Sequence, residues 1–113
     1  MMLTVADGRI RLCGTDEVDQ GGMLRVEPPG MDPVLLCRTA DGFHAVDDEC
    51  THAIASLSEG RLEGTTVFCP LHGGSFDICT GKARSLPCKQ ALRTWAVAVD
   101  GDGVWLLAKK KRA

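Results

Sequence analysis

The chain is 113 residues long, a length that fits one domain with a small but real core. Hydrophobic residues make up 44% of it and charged residues 25%, with a formal net charge of −2 at pH 7, so overall charge favours neither nucleic acid nor an anionic membrane as partner. Two Trp, three Phe and no Tyr leave little with which to stack bases. The N-terminal MMLTVADGRI lacks the basic-then-apolar order of a secretory signal. No apolar run approaches the roughly 20 residues of a membrane helix. A cytoplasmic protein without membrane contact is therefore expected. Disulfides rarely persist in that compartment, so the six cysteines point to metal ligation or small buried residues.

Short β-type runs recur between turn signals, and no long amphipathic helix is found. RIRLC (9–13) alternates and is followed by the polar turn GTDEVDQGG. MLRVE and PVLLCR are separated by PPGMD, a loop by its prolines and glycine. Asp41-Gly42 then joins PVLLCR to FHAVD as a hairpin. Between about residues 47 and 87 the composition shifts to Gly, Cys, His and Ser, with the strand-like pieces TTVFC and SFDI and the turn TGKA. LRTWAVAV and VWLLA flank DGDG (100–103) as a second hairpin, and the terminal KKKR (109–112) reads as a solvated tail. The expected architecture is all-β: an antiparallel β-sandwich framework in one domain, 1–113, with a loop-rich subdomain inserted at about 47–87.

That insert holds Cys50 and His52 in one short clamp and Cys69 and His72 in another. Sixteen residues separate His52 from Cys69, enough for a small hairpin to bring the clamps face to face. One zinc ion could take all four side chains in a closed tetrahedral site. A 2Fe–2S cluster could instead take both cysteines on one iron and both histidines on the other. Zinc sites usually combine a Cys pair with a His pair, whereas here each clamp mixes the types, which favours iron. Gly73 and Gly74 allow backbone N–H groups to approach a bulky cluster.

With CTH at 50–52, CPLHGG at 69–74 and TGKARSLP at 80–87, the sequence resembles the Rieske-type ferredoxins, most closely the small ones serving aromatic-ring-hydroxylating dioxygenases. The resemblance implies one Rieske 2Fe–2S cluster, with Cys50 and Cys69 on the inner iron and His52 and His72 on the outer one through Nδ1. Two neutral imidazoles in place of thiolates make adding an electron less costly than in four-cysteine ferredoxins. Pro87 matches the proline loop covering the cluster in this family. High-potential relatives carry hydroxyl donors where this chain has Gly74 and Phe76, which implies a potential near the low end of the roughly −150 to +300 mV Rieske range, and a rise in potential for Gly74→Ser. The extra cysteines of respiratory Rieske subunits are replaced by Ala55 and Leu71, so no disulfide is expected to brace the loops.

The implied function is one-electron transfer from a ferredoxin reductase to a terminal oxygenase in aromatic hydrocarbon catabolism, by a monomer that engages each partner transiently and is not itself an enzyme. The motifs lean towards carbazole-type systems. A self-contained Rieske oxygenase needs a mononuclear iron held by two His and a carboxylate, and only His44 remains beyond the clamps. The alternative is a small Rieske-fold subunit of a nitrite-reductase-like complex. Asp47, Asp48 and Glu49 abut the first clamp and are expected to steer partner encounter. Cys13 and Cys37 sit in apolar strand patterns and should be buried; Cys79 and Cys88 flank TGKARSLP without an assigned role.

Overall fold

A computed structural model describes residues 5–6, 8–51, 54–71, 73–86 and 88–111. Strands β1 (Val5–Ala6), β2 (Arg9–Gly14), β3 (Met23–Val26), β4 (Val34–Thr39), β5 (Gly42–Asp47), β10 (Thr94–Asp100) and β11 (Gly103–Lys111) form an antiparallel sheet ordered β1-β2-β11-β10-β5-β4-β3. A second antiparallel sheet takes β6 (Arg61–Glu63), β7 (Thr66–Phe68), β8 (Ser75–Asp77) and β9 (Ala83–Ser85) in chain order. Helix is confined, among the described residues, to single 3-10 turns at Thr15–Glu17 and Leu57–Glu59. The expected all-β class and antiparallel framework are therefore observed.

Both expected hairpins form. Asp100 pairs with Gly103, leaving Gly101 and Asp102 as a two-residue turn with Gly101 at φ +62°. In the other hairpin Thr39 pairs with Gly42, so the turn residues are Ala40 and Asp41, one position before the Asp-Gly read from sequence. The Thr39 hydroxyl explains the shift: it accepts the Asp41 N–H at 3.2 Å, an ST-turn that fixes the earlier register.

The large sheet turns a corner along β10. Only Thr94 and Trp95 pair with β5, whereas β10 pairs with β11 along its length, with a bulge between Trp95 and Val97. Bulges of this kind bend a strand and increase its twist. The two halves thus close over a core of Leu12, Val26, Val34, Leu36, Ala45, Val104 and Leu106. Strand β4 is buried on both faces: Val34 and Leu36 enter that core, while Leu35 and Cys37 enter a second one with Val46, Val67, Phe76 and Ile78. The second core cements the small sheet to the large one, and Cys50, Cys69 and Cys88 belong to it. The loops carrying these thiols are thus anchored on buried apolar surface.

Candidate metal centre

The first clamp sits in a loop closed like a hairpin. Leu57 N–H donates to the Asp48 carbonyl at 2.7 Å, Glu49 bridges Ser56, and Cys50 N–H donates to the Ala55 carbonyl at 3.0 Å. The second clamp is the connection between β7 and β8. Phe68 pairs with Ser75, and Cys69 N–H donates to the Gly74 carbonyl at 2.8 Å. Each cysteine thus closes its own loop by donating to a carbonyl five residues later. The β6–β7 hairpin occupies the interval between the clamps, as the spacing suggested. Gly60 makes the approach to β6 possible, because a Cβ there would lie 1.8 Å from the Phe68 carbonyl oxygen.

Two residues of the acidic run, Asp47 and Asp48, are structural rather than part of a solvated face. Asp48 is only 2% exposed. Its carboxylate accepts the Ser58 N–H at 3.0 Å, the Arg25 Nε–H at 3.1 Å and the Ser56 hydroxyl. Asp47 accepts the Trp95 indole N–H at 2.9 Å and is bonded by Arg93. Arg93 also reaches Asp32 at 2.9 Å, and the bonds to Asp47 and Asp32 raise its pKa. Only Glu49 of the three is exposed, so the expected steering role does not hold for the run as a whole.

A third segment straps both loops. Thr51 donates its hydroxyl to the Gln90 carbonyl at 2.9 Å, and the Ser85 hydroxyl lies 3.3 Å from the Gly73 carbonyl. Ser75 and Ser85 hydroxyls meet at 2.7 Å, and Cys88 N–H donates to the Ser85 carbonyl at 3.1 Å. The Cys88 sulfur is 3.9 Å from that of Cys50. A Cβ on Gly74 would lie 2.3 Å from the Cys88 sulfur. The glycine therefore makes room for Cys88, and a serine at 74 cannot act as a simple added donor, because it must first displace a buried thiol. The rise in potential expected for Gly74→Ser therefore requires Cys88 to move first.

Cys50, Cys69 and Cys88 are all buried. Burial raises the Cys69 pKa, while a hydrogen bond from the Leu71 backbone acts the other way. That N–H is a donor of the kind that stabilises a ligating sulfur. Burial likewise raises the Cys88 pKa. Two buried thiols on separate pinned loops, with a backbone donor aimed at one sulfur, form a donor set that suits an iron–sulfur group. Among the described residues, no set of three or more His, Cys, Asp or Glu side chains is arranged to hold a metal ion. His52, His72 and Pro87 lie outside the described residues. Chain separation hid Cys88: its neighbour Cys50 is 38 positions away.

The remaining cysteines have other roles. Cys13 and Cys37 are buried as expected, and burial pushes their thiols up to about 11 and about 12. Cys79 lies 4.0 Å from His44 Nε2, so His44 is engaged away from the clamps. No disulfide joins any of the six cysteines. At the surface, a cleft of about 450 Å³ bordered by Asp47, Glu49, Cys50, Ile54 and Arg93 lies against the first loop. Ile54, Leu71 and Leu86 are exposed, Ile54 to 94%. They stand beside His52, His72 and Pro87 in sequence.

Comparison with known proteins converges on one family. Residues 8–96 match the Rieske [2Fe-2S] domain. The chain is 40% identical over 102 residues to the ferredoxin CarAc of Metapseudomonas resinovorans, covering 90% of this chain and 95% of that one. It is 43% identical over 98 residues to the ferredoxin component of the p-cumate 2,3-dioxygenase system of Pseudomonas putida, covering 86% and 83%. Its fold superposes with a TM-score of 0.88 and 38% identity on a chain from a complex of reduced oxygenase and oxidized ferredoxin in carbazole 1,9a-dioxygenase, covering 96% of this chain and all of that one. Two pinned loops bearing buried thiols, on an antiparallel framework shared with these ferredoxins, place the chain in the Rieske [2Fe-2S] family.

Proposed function

We propose that the chain is a one-electron carrier that takes electrons from a ferredoxin reductase and delivers them to the terminal oxygenase of an aromatic-ring dioxygenase. The observation that carries this reading is the burial of Cys50 and Cys69 on two loops, each of which also contains a histidine. In this reading Cys50, His52, Cys69 and His72 hold a Rieske 2Fe–2S cluster, and residues 1–113 act as one domain with the cluster segment at about 47–87. When bound, such a cluster supplies reversible uptake and release of one electron.

The protein's own residues do the rest. Cys50 and Cys69 anchor the centre to the buried core. His52 and His72, as neutral ligands, lower its negative charge and favour the reduced form relative to a four-thiolate site. Ile54, Leu71 and Leu86, close in sequence to His52, His72 and Pro87, are exposed apolar side chains. Small contact surfaces suit complexes that form and dissociate quickly, as a monomer serving two partners in turn requires. Of three histidines only His44 is outside the proposed ligand set, and it neighbours Cys79, so we assign no catalytic residue. Among the described residues no helix is long and apolar enough to cross a membrane.

Elemental and labile-sulfide analysis of the purified protein tests the ligand assignment. Two irons and two sulfides per chain are expected, with loss of both in Cys69→Ala and His72→Ala. Stoichiometric zinc without labile sulfide would overturn the reading.

A further inference from the structure

Cys88 lies outside the proposed ligand set, yet the fold spends several features on its position. Its backbone N–H is fixed to the Ser85 carbonyl at 3.1 Å. Its side chain is 3% exposed, within the same buried cluster as Cys50 and Cys69. Gly74 supplies the space it fills, since any Cβ there would stand 2.3 Å from its sulfur. The resulting separation from the Cys50 sulfur is 3.9 Å, within reach of an S–H···S contact. A thiol is a weak donor, whereas a ligating thiolate offers acceptor capacity only.

We propose that Cys88 is a positioning residue for electron transfer: its S–H donates a hydrogen bond to the Cys50 sulfur and thereby raises the reduction potential of the centre. This rests on the reading of Cys50 as a ligand. Hydrogen bonds to ligand sulfurs are among the levers that set iron–sulfur potentials. An added electron makes the Cys50 sulfur a better acceptor, so the bond strengthens on reduction and favours the reduced form. Against a ligating sulfur that can only accept, Cys88 is the member of the pair that donates. It also fills a role that Gly74 and Phe76 cannot, because neither has a side-chain donor. The Phe76 ring is fully buried in the apolar core. Weak hydrogen bonds shift an equilibrium by a few fold, about threefold here. At 59 mV per tenfold for one electron, that is about 30 mV.

Voltammetry of the loaded wild type, Cys88→Ala and Cys88→Ser tests the proposal, with iron and labile sulfide measured first. Absence of labile sulfide in the wild type would overturn the ligand reading, and this proposal with it. With the centre present, Cys88→Ala should shift about 30 mV more negative, and Cys88→Ser, which keeps a donor, should match or exceed the wild type. An alanine variant at or above the wild-type potential, or a serine variant that falls as far as alanine, overturns the proposal. A measurement on the wild type alone covers the case in which neither variant assembles. Its reduced-minus-oxidised infrared spectrum should contain an S–H stretching band that moves to lower frequency on reduction. A difference spectrum without an S–H signal refutes the hydrogen bond.

Discussion

Replacing Asp48 tests whether the first loop is held by a buried carboxylate. In Asp48→Ala the Ser58 N–H and the Ser56 hydroxyl lose a charged acceptor, each bond of that type contributing about 1.5–3 kcal/mol when buried. Both serines are half-buried and can recover part of this by binding water. The Arg25 ion pair adds little, because the arginine side chain is 41% exposed and solvent screens exposed pairs. The sum is about 3 kcal/mol, a factor on the order of a hundred in the opening equilibrium of the loop. Asp48→Asn keeps one acceptor oxygen for the Ser58 N–H and should cost about 1 kcal/mol. The assay is release of iron to an excess of chelator under conditions where loop opening is rapid and reversible. Asp48→Ala should lose iron about a hundredfold faster than wild type and Asp48→Asn several-fold faster, with the reduction potentials nearly unchanged. An alanine variant that releases iron at the wild-type rate refutes the reasoning. So does a defect confined to partner encounter at low salt, which would restore the steering role read from the sequence.

Two further outcomes follow from buried groups. Gly74→Ala forces a methyl against the Cys88 sulfur, now 2.3 Å from where that methyl would stand, and overpacking of this kind costs about 1–3 kcal/mol; a thermal midpoint equal to wild type would show that Cys88 yields freely. The Cys37 thiol, pushed up from 9.0 to about 12 by burial, holds its proton more tightly folded than unfolded. Stability from this source is complete below about pH 9 and declines as pH rises from 9 towards 12. The urea midpoint should therefore fall across pH 9–11, less steeply in Cys37→Ala, and equal slopes in the two proteins would contradict the assignment.

The strands that were legible in the sequence are those with four or more residues of clear patterning, together with the three-residue β7 and β8, read from TTVFC and SFDI. RIRLC, MLRVE, PVLLCR, FHAVD and the pair around DGDG all lie on observed strands. Strand β1 has only two residues, and β6 (RLE) and β9 (ARS) lack the β-branched or aromatic residues that mark β7 and β8; partner strands make them strands. The cysteines Cys50 and Cys69 were legible as site residues because their types and spacing are informative without a structure. Asp48 was misread because three consecutive acids look solvated until Arg25, Ser56 and Ser58 are brought around the middle one. Cys88 carried no local signal at all. Its significance depends on Gly74 and Cys50, distant in the chain and adjacent only after the small sheet docks on the large one.

The pinned loops also bear on speed. A carrier that gains and loses charge repeatedly is slowed by every atom that must shift between its two oxidation states. Here each loop is closed at its base by the amide of its own cysteine. Thr51, Ser85 and Cys88 tie both loops to one strap, and a buried carboxylate fastens the first loop from behind. Polar groups fixed in advance need little rearrangement when charge arrives. The inner reorganisation energy should accordingly be small, and the frequency of productive encounters, rather than the shape of the site, would then govern how fast electrons move.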